Sequence, residues 1–205
     1  MVRPRFARLP PEQQQTILHA ALEEFAAHGF HNASLNRVIE AAGISKGSMY
    51  YYFDGKEDLY AHIAQTELER LFARLGPFTV PSEGDADTFW SSLEDYYLRL
   101  MAALAASPQL AALIRGWIAA SSNPSLQQAQ QEMEQAVRPW VEQALAAGQR
   151  VGAVRTDLPS ALLIAVVLGM GQAMDTWLIT QQPGQDDLPQ LIGALIEMIR
   201  GAVKP

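Results

Sequence analysis

The sequence contains no cysteine, which excludes disulfide bonds, zinc–thiolate sites and thiol nucleophiles. Strand-like patterns are missing too, because no stretch alternates apolar and polar residues for long and β-branched residues are sparse. Charged residues are only 18% of the 205, whereas hydrophobic residues are 49%, a composition typical of a soluble globular protein. The absence of cysteine suits a reducing cytoplasm, where we expect this protein to be.

We expect neither a secretory signal peptide nor a membrane span. The first fifteen residues include three prolines and no apolar run, unlike a signal peptide. The longest uncharged apolar stretch, from Leu158 to Met174, contains a proline and two glycines. It falls short of the ~20 apolar residues that a membrane span needs. We therefore interpret it as a helix that is buried on both sides.

The formal net charge of −7 argues at first against a nucleic-acid partner. The charge is uneven, however: residues 1–60 hold six basic and seven acidic residues, and the remaining 145 hold nine basic and fifteen acidic ones. Phosphate contacts need only a local cluster of cations and hydrogen-bond donors. The acidic remainder therefore does not exclude DNA binding, although it predicts weak non-specific binding.

Helical periodicity runs through the whole chain and predicts an all-α protein of about nine helices. Proline and serine mark several helix starts, such as Pro11, Pro108 and Pro124, and glycine marks several ends. The loop from Gly76 to about residue 85 is rich in proline, glycine and acidic residues. It is the best candidate for a boundary between two halves of the chain.

Two short helices around a glycine turn are predicted by the segment SLNRVIEAAGISKGSMYYYFDGKEDLY, residues 34–60. A helix-turn-helix needs a glycine between its helices, an apolar residue just after it and another five positions further on. Gly43, Ile44 and Met49 meet these needs, and Val38 supplies packing from the first helix. The second helix carries a face of lysine, serine and tyrosine donors, which is typical of a helix that reads DNA.

This segment resembles the TetR family of transcriptional repressors. AAGISKGSMYYYFDGKEDLY is similar to the family signature, roughly AAGvSkGtlYyHFksKeeLl, and AALEEFAAHGFHNAS is similar to its first helix. The resemblance covers about residues 12–62, with a weaker likeness in GQRVGAVRTD further on. It implies an N-terminal three-helix domain joined by a long fourth helix to a C-terminal helical bundle. The implied domains are a flexible basic arm at 1–11, a DNA-binding domain at 12–58, and an effector-binding and dimerisation domain at 59–205.

The resemblance also implies which residues meet double-stranded DNA. The recognition helix opens at the major groove, tyrosines reach phosphates or base edges, and the residues that begin the second and fourth helices hold phosphates. The predicted set is Ser34, Ser45, Lys46, Gly47, Ser48, Tyr50, Tyr51, Tyr52 and Lys56. Two positions depart from the family pattern: Tyr52 stands where histidine is usual, and Ile39 stands where a small alanine is usual. We expect Tyr52 to change the sequence preference.

A homodimer is implied because each subunit brings one recognition helix to one half of a palindromic operator. A stripe of small residues independently supports this, since a helix that is apolar all round needs a partner on both sides. The predicted interface consists of Ala161, Ala165, Gly169, Ala173, Leu191 and Leu195. The N-terminal arginines at 3, 5 and 8 either enter a minor groove or form a disordered tail.

In this family the middle helices usually enclose an effector pocket, and effector binding moves the two DNA-reading heads. The candidates for such a pocket are Trp90, Tyr97, Met101, Arg115, Trp117, Met133, Trp140, Met174 and Trp177. Ordinary core packing is the alternative for each of them. Arg115 and Asp175 lie in apolar surroundings and need partners if they are buried.

The sequence thus predicts a homodimeric repressor that a small-molecule effector releases from its operator, without catalysis. We expect no cofactor and no metal site, because the four histidines lack a spacing with carboxylates that binds metal. No catalytic triad, paired carboxylates or phosphate-binding loop stands out. The alternative from another class is a helical ligand-binding or interaction protein whose helix-turn-helix no longer reads DNA.

Overall fold

The computed structural model describes residues 3–79, 84–119, 124–184 and 186–205, and in these ranges the chain forms nine α-helices and no strand. The all-α prediction is confirmed. The predicted boundary loop lies partly outside the described residues. The helices are α1 Pro11–Asn32, α2 Leu35–Ala41, α3 Lys46–Tyr52, α4 Lys56–Leu75, α5 Ala86–Ala105, α6 Pro108–Ala119, α7 Pro124–Arg150, α8 Ser160–Gln181 and α9 Leu188–Val203.

Helix limits follow the local signals of the sequence. Proline begins α1, α6 and α7, where its missing N–H costs nothing because the first turn has no intrahelical acceptor for it. Within α1 the helix is interrupted at Gly29, whose φ of +66° favours glycine, and this is where the sequence predicted its end. The C-terminal cap of α1 is Ala33, whose N–H donates to the carbonyl of Gly29 at 3.1 Å.

The chain divides into two compact units. The first unit consists of Met1–Phe72 and Leu104–Glu132, so that α6 belongs with the N-terminal helices. In it Tyr60 of α4 is fully buried, and its hydroxyl donates to the carbonyl of Leu113 in α6 at 2.6 Å. The Tyr60 ring stacks on Trp117 with 5.8 Å between centroids. The first unit is thus more than the helix-turn-helix, and a functional boundary near residue 58 stays a prediction.

The second unit consists of Ala73–Ala103 and Met133–Pro205. Its core is one apolar cluster to which α5, α7, α8 and α9 contribute buried side chains such as Trp90, Val141, Leu163 and Ile192. A turn after α7 closes it: Gly152 has a φ of +71°, and the N–H of Arg155 donates to the carbonyl of Val203 at 2.8 Å.

Helix α8 is longer than the apolar stretch recognised in the sequence. It has 22 residues and a mean hydropathy of 1.7 in its most apolar part, so by length and composition it could cross a bilayer. The bent pair of α5 and α6 passes the same test among the described residues. The expectation that the apolar run is too short is therefore wrong, because the helix continues past Asp175 to Gln181. Core helices of globular proteins share these properties, and the feature alone does not indicate a membrane.

Gly148, near the end of α7, has no room for a methyl group. A Cβ built there would lie 2.6 Å from Cγ2 of Val154 and 3.0 Å from Cζ of Phe89, and both of these side chains are buried. We expect Gly148→Ala to lower the free energy of unfolding by about 1–3 kcal/mol, because overpacking outweighs the gain in helix propensity. Urea denaturation measures this. Gly201→Ala is the control, since nothing lies within 4 Å of its Cβ, and equal stability of both variants would contradict the prediction.

Candidate nucleic-acid interface

The turn between α2 and α3 has the geometry of a helix-turn-helix. Gly43 adopts a φ of +64°, which reverses the chain without a side-chain penalty. The N–H of Ile44 then donates to the carbonyl of Ile39 at 3.2 Å. Val38 and Met49 are buried between the two helices, as the sequence predicted, whereas Ile44 is only partly buried. Ile39, which stands where the family pattern has a small alanine, is partly buried as well.

The start of α3 is held by two serines. The hydroxyl of Ser45 accepts a hydrogen bond from the N–H of Ser48 at 3.0 Å, which is an N-terminal cap. The two hydroxyl oxygens also lie 2.8 Å apart, so one hydroxyl donates a hydrogen bond to the other. Lys46 and Gly47 are exposed beside them. The first turn of α3 is therefore rigid and presents its lysine and backbone to solvent.

Three consecutive tyrosines end α3, and they are not equivalent. Tyr50 and Tyr51 are 44% and 47% exposed, and one face of the Tyr51 ring lies 4.1 Å from the guanidinium carbon of Arg5. Tyr52 is only partly buried and packs edge-on against Phe6, with 6.1 Å between ring centroids. Tyr50 and Tyr51 thus have surface available for a ligand, whereas part of the Tyr52 side chain is buried against Phe6. The expected effect of Tyr52 on the DNA sequence that is preferred stays a prediction.

A buried carboxylate fixes α2 against α1. The Glu24 side chain is 8% exposed and accepts hydrogen bonds from the guanidinium of Arg37 and, at 2.7 Å, from the backbone N–H of Ser34. The hydrogen bonds from Arg37, together with that from Ser34, outweigh burial and lower the pKa of Glu24 below its ordinary value. The Ser34 N–H is thus already occupied, and only its hydroxyl remains for the phosphate contact that the resemblance implies.

Lys56 is placed differently from the expectation that it extends toward a phosphate. Its ammonium donates to the carbonyls of His31 at 3.0 Å and Ala33 at 3.3 Å, and it lies 4.9 Å from the centre of the Phe30 ring. These contacts stabilise the C-terminal end of α1, where carbonyls lack partners. Any phosphate contact by Lys56 has to use its third N–H while these two are kept, or replace them.

Residues 3–9 lie against the helix-turn-helix, within the segment 1–11 for which the sequence predicts a flexible arm. Residues Phe6–Arg8 form a 3₁₀ turn, and Phe6 is 2% exposed. Its ring lies 4.9 Å from that of Phe53 and 5.5 Å from that of His62, between centroids. Burial lowers the pKa of His62, because the charged form loses solvation. The anchor is a single aromatic residue, which no periodic pattern marks in the sequence.

The predicted dimer residues lie on the surface of the second unit. Ala161, Ala165, Gly169 and Ala173 are all exposed, and the two leucines of α9 that were predicted with them, Leu191 and Leu195, are partly buried. Large apolar side chains are exposed on the same helices: Leu162 is 48%, Trp177 45% and Met198 60% exposed. Helix α8 therefore buries one face in its own unit and leaves an apolar face uncovered, which is the face where the sequence predicts a partner subunit.

The nine predicted pocket residues are not one cluster. Trp90, Met101 and Met174 are buried in the core of the second unit, and Tyr97 and Trp140 pack against it. Arg115 and Trp117 belong to the first unit, Trp177 is exposed, and the side chain of Met133 lies outside the described ones. Core packing explains the three buried residues, which was the alternative interpretation.

Two polar groups stand out in the second unit. The hydroxyl of Tyr97 on α5 donates to the carboxylate of Asp175 on α8, and burial of this carboxyl raises its pKa to about 7. The indole N–H of Trp140 is buried and has no acceptor within the described residues. Buried donors are usually satisfied, so an unpaired one is the kind of group a bound ligand completes. No group of three metal-binding side chains occurs in the ranges that the structure describes.

Comparison with known proteins agrees with this geometry. Residues 17–63 match the model of the family described as bacterial regulatory proteins, tetR family. The chain is 28% identical over 156 residues to the HTH-type transcriptional regulator UidR of Escherichia coli K12, covering 75% of each chain. It is 38% identical over 72 residues to the HTH-type transcriptional regulator RutR of the same organism, covering 35% of this chain and 34% of RutR.

The fold of the whole chain is also found among solved structures. The transcriptional regulator FadR of Bacillus subtilis, in complex with stearoyl-CoA, has a TM-score of 0.67 and 22% identity, with 90% of this chain and 96% of FadR covered. Residues 17–63 thus form a helix-turn-helix domain of the tetR family type, and the similar curated proteins, UidR and RutR, are transcriptional regulators.

Proposed function

We propose that this protein is a homodimeric repressor that binds a palindromic operator and is released from it by a small-molecule effector. The observation that carries the proposal is the exposure of Lys46, Tyr50 and Tyr51 on α3, together with the partly buried Ser48 at its capped start. Such a helix presents its N-terminal side chains to base edges and phosphates of the major groove. The other predicted DNA contacts, Ser34, Ser45, Gly47, Tyr52 and Lys56, surround this face.

The second copy is the partner that the uncovered face of α8 fits. The exposed residues Leu162, Ala165 and Trp177 form an apolar patch on one face of α8. Such a patch suits a twofold interface, in which the same surface of each subunit contacts its counterpart on the other. Small residues allow two α8 helices to approach closely, and the leucines of α9 complete the contact. A dimer places two recognition helices for successive major grooves, ~34–36 Å apart.

The effector is proposed to bind in the second unit, near Tyr97, Trp140, Met101 and Met174. Two facts support this place: the unpaired indole N–H of Trp140 within the described residues, and the partly buried Tyr97–Asp175 pair beside an apolar cluster. Effector binding acts by favouring a dimer geometry that no longer matches the operator, which requires a coupling free energy of only about 1–3 kcal/mol. The protein acts in the cytoplasm, without cofactor and without catalysis.

Lys46→Ala and Tyr51→Ala are expected to weaken operator binding about tenfold or more each, because each removes a contact to DNA worth ~1.4 kcal/mol or above. Fluorescence anisotropy with a duplex from the region beside the protein's own gene measures the affinity. Sedimentation velocity shows the oligomeric state, which neither substitution should alter. Normal affinity of both variants would mean that α3 is not the recognition helix.

The alternative is an interaction protein that no longer reads DNA, and the net charge of −7 favours it. The two proposals differ in one measurement. A repressor binds its own promoter region saturably, with a steep salt dependence and a preference over random duplex. Equal binding to promoter and random duplex at low salt would leave the interaction protein as the better proposal.

A further inference from the structure

The folded N-terminal segment, residues 3–9, lies directly against the recognition helix. The N–H of Arg3 donates to the carbonyl of Tyr52 at 3.1 Å, at the end of α3. Phe6 is buried against Phe53, the residue that follows. This segment is therefore not a free arm, since the Arg3–Tyr52 hydrogen bond and the buried ring of Phe6 fix its position relative to α3.

Its three arginines have different surroundings. Arg3 is neutralised by Asp54, with 2.6 Å between Nη2 and Oδ1. The guanidinium carbon of Arg5 lies 4.1 Å from the centre of the Tyr51 ring, a cation–π contact that occupies a face of the guanidinium rather than its N–H donors. Within the described ranges, neither Arg5 nor Arg8 makes an ion pair, and both are exposed. With Arg3 and Pro4 they line an open recess.

Two other cationic side chains near the helix-turn-helix, Arg37 and Lys56, are already bound to groups of the protein. Arg37 is paired with Glu24, and Lys56 donates to two carbonyls of α1. Only Lys46 on α3 shares the exposed, unpaired state of Arg5 and Arg8 in the described part of this region. A chain with a net charge of −7 needs a local concentration of positive charge to approach DNA, and the N-terminal segment provides two of its three cations.

We propose that Arg5 and Arg8 bind the phosphate backbone that flanks the major groove entered by α3, with Arg5 and Tyr51 acting together as one contact surface. The inference rests on the proposed function. The fixed position beside Tyr51 directs these guanidinium groups to the strand next to the recognition helix, and a guanidinium pairs with a phosphate through two parallel hydrogen bonds. A minor-groove contact would require the segment to leave Phe6 and Tyr52.

The test is the salt dependence of DNA binding. Affinities of the full-length protein, Arg5→Gln and Arg8→Gln are measured by fluorescence anisotropy over a series of salt concentrations, with the promoter duplex and a random duplex. Each phosphate contact contributes about −0.9 to the slope of log K against log salt concentration. In a dimer each substitution removes two contacts, so the slope becomes shallower by about 1.8 per variant.

Arg70→Gln is the charge-matched control. Arg70 is exposed on α4, fourteen residues and roughly 21 Å along the helix from Lys56. It should leave the slope unchanged, and Arg5→Lys should restore most of the slope that Arg5→Gln loses, since it keeps the charge.

The outcomes separate the possibilities. Slopes of Arg5→Gln and Arg8→Gln equal to that of the unchanged protein overturn the inference, although the proposed function stands if the unchanged protein still prefers its promoter. A loss of preference for A·T-rich flanking sequence, without a change in slope, also overturns it and indicates a minor-groove contact. Absence of any promoter preference in the unchanged protein contradicts the proposed function itself.

Discussion

Ala165→Arg is expected to leave the chain folded but monomeric, with operator affinity lowered by about a hundredfold or more. Ala165 is exposed in the single chain, so an arginine there meets solvent and does not disturb the core of the second unit. In the proposed dimer the same position lies at the contact between two α8 helices. An arginine there would be buried without a partner, and a twofold axis would bring two of them together.

Loss of the dimer weakens operator binding because the two half-sites are then bound separately. When two recognition helices are linked, the second contact is intramolecular and raises the overall affinity by about 10²–10⁴. Sedimentation velocity measures the oligomeric state, anisotropy measures promoter binding, and circular dichroism confirms helicity.

Ala102→Arg, at an exposed position of α5, is the matched control and should remain dimeric. A dimeric Ala165→Arg would show that the apolar face of α8 is not the interface. A monomer that still binds the promoter with full affinity would show that dimerisation is not needed for recognition.

Glu24→Gln is expected to destabilise the protein by about 2–3 kcal/mol, because hydrogen bonds to an ionised carboxylate are replaced by weaker ones to an amide. The carboxylate accepts from Arg37 of α2 and from the N–H of Ser34, which precedes α2. The amide can still accept, but it also points an N–H toward groups that only donate. We expect weaker docking of α2, and therefore a less well-defined helix-turn-helix.

The effect of Glu24 depends on pH in a defined direction. Its pKa is lowered in the folded chain, chiefly by the hydrogen bonds from Arg37 and then by that from Ser34. A lowered carboxyl pKa contributes stability above the unfolded pKa of about 4.3, and this contribution is lost as the pH falls through the folded pKa. The difference in stability between the protein and Glu24→Gln should thus be full at pH 7 and shrink below about pH 4.

Glu23→Gln is the control for this measurement. Glu23 is the preceding residue of α1, but its side chain is 56% exposed and lies 3.4 Å from that of His19 in a solvent-exposed pair. Its replacement should change the free energy of unfolding in urea by less than about 0.5 kcal/mol. A similar cost for both variants would contradict the role that we assign to the buried carboxylate.

The sequence predicts the helix-turn-helix well because its signals are local. Gly43 turns the chain, Ser45 caps α3, and Met49 is buried one turn later, each within a few residues of the motif's centre. The contacts of Phe6, Glu24 and Lys56 could not be predicted, since they join residues that are 10 to about 50 positions apart. A lone phenylalanine or a glutamate within a helix gives no indication of such a partner.

The effector site is less predictable for a related reason. Large side chains on helical stripes show which residues avoid water, but not which unit they join. Trp117 has the same local pattern as Trp90, yet it packs on Tyr60 in the first unit while Trp90 is buried in the second. The sequence singles out Tyr97, Trp140 and Asp175, but it does not show that Tyr97 donates to Asp175 or that the indole N–H of Trp140 lacks an acceptor within the described residues.

The stacking of Trp117 on Tyr60 gives the protein an internal optical probe. Of the four tryptophans, Trp117 is the one in the first unit; Trp90, Trp140 and Trp177 belong to the second. Its indole lies close to the Tyr60 phenol, which is bonded to the backbone of α6. The part of the tryptophan emission that is lost in Trp117→Phe therefore reports on the packing of α6 against α4, without an added label.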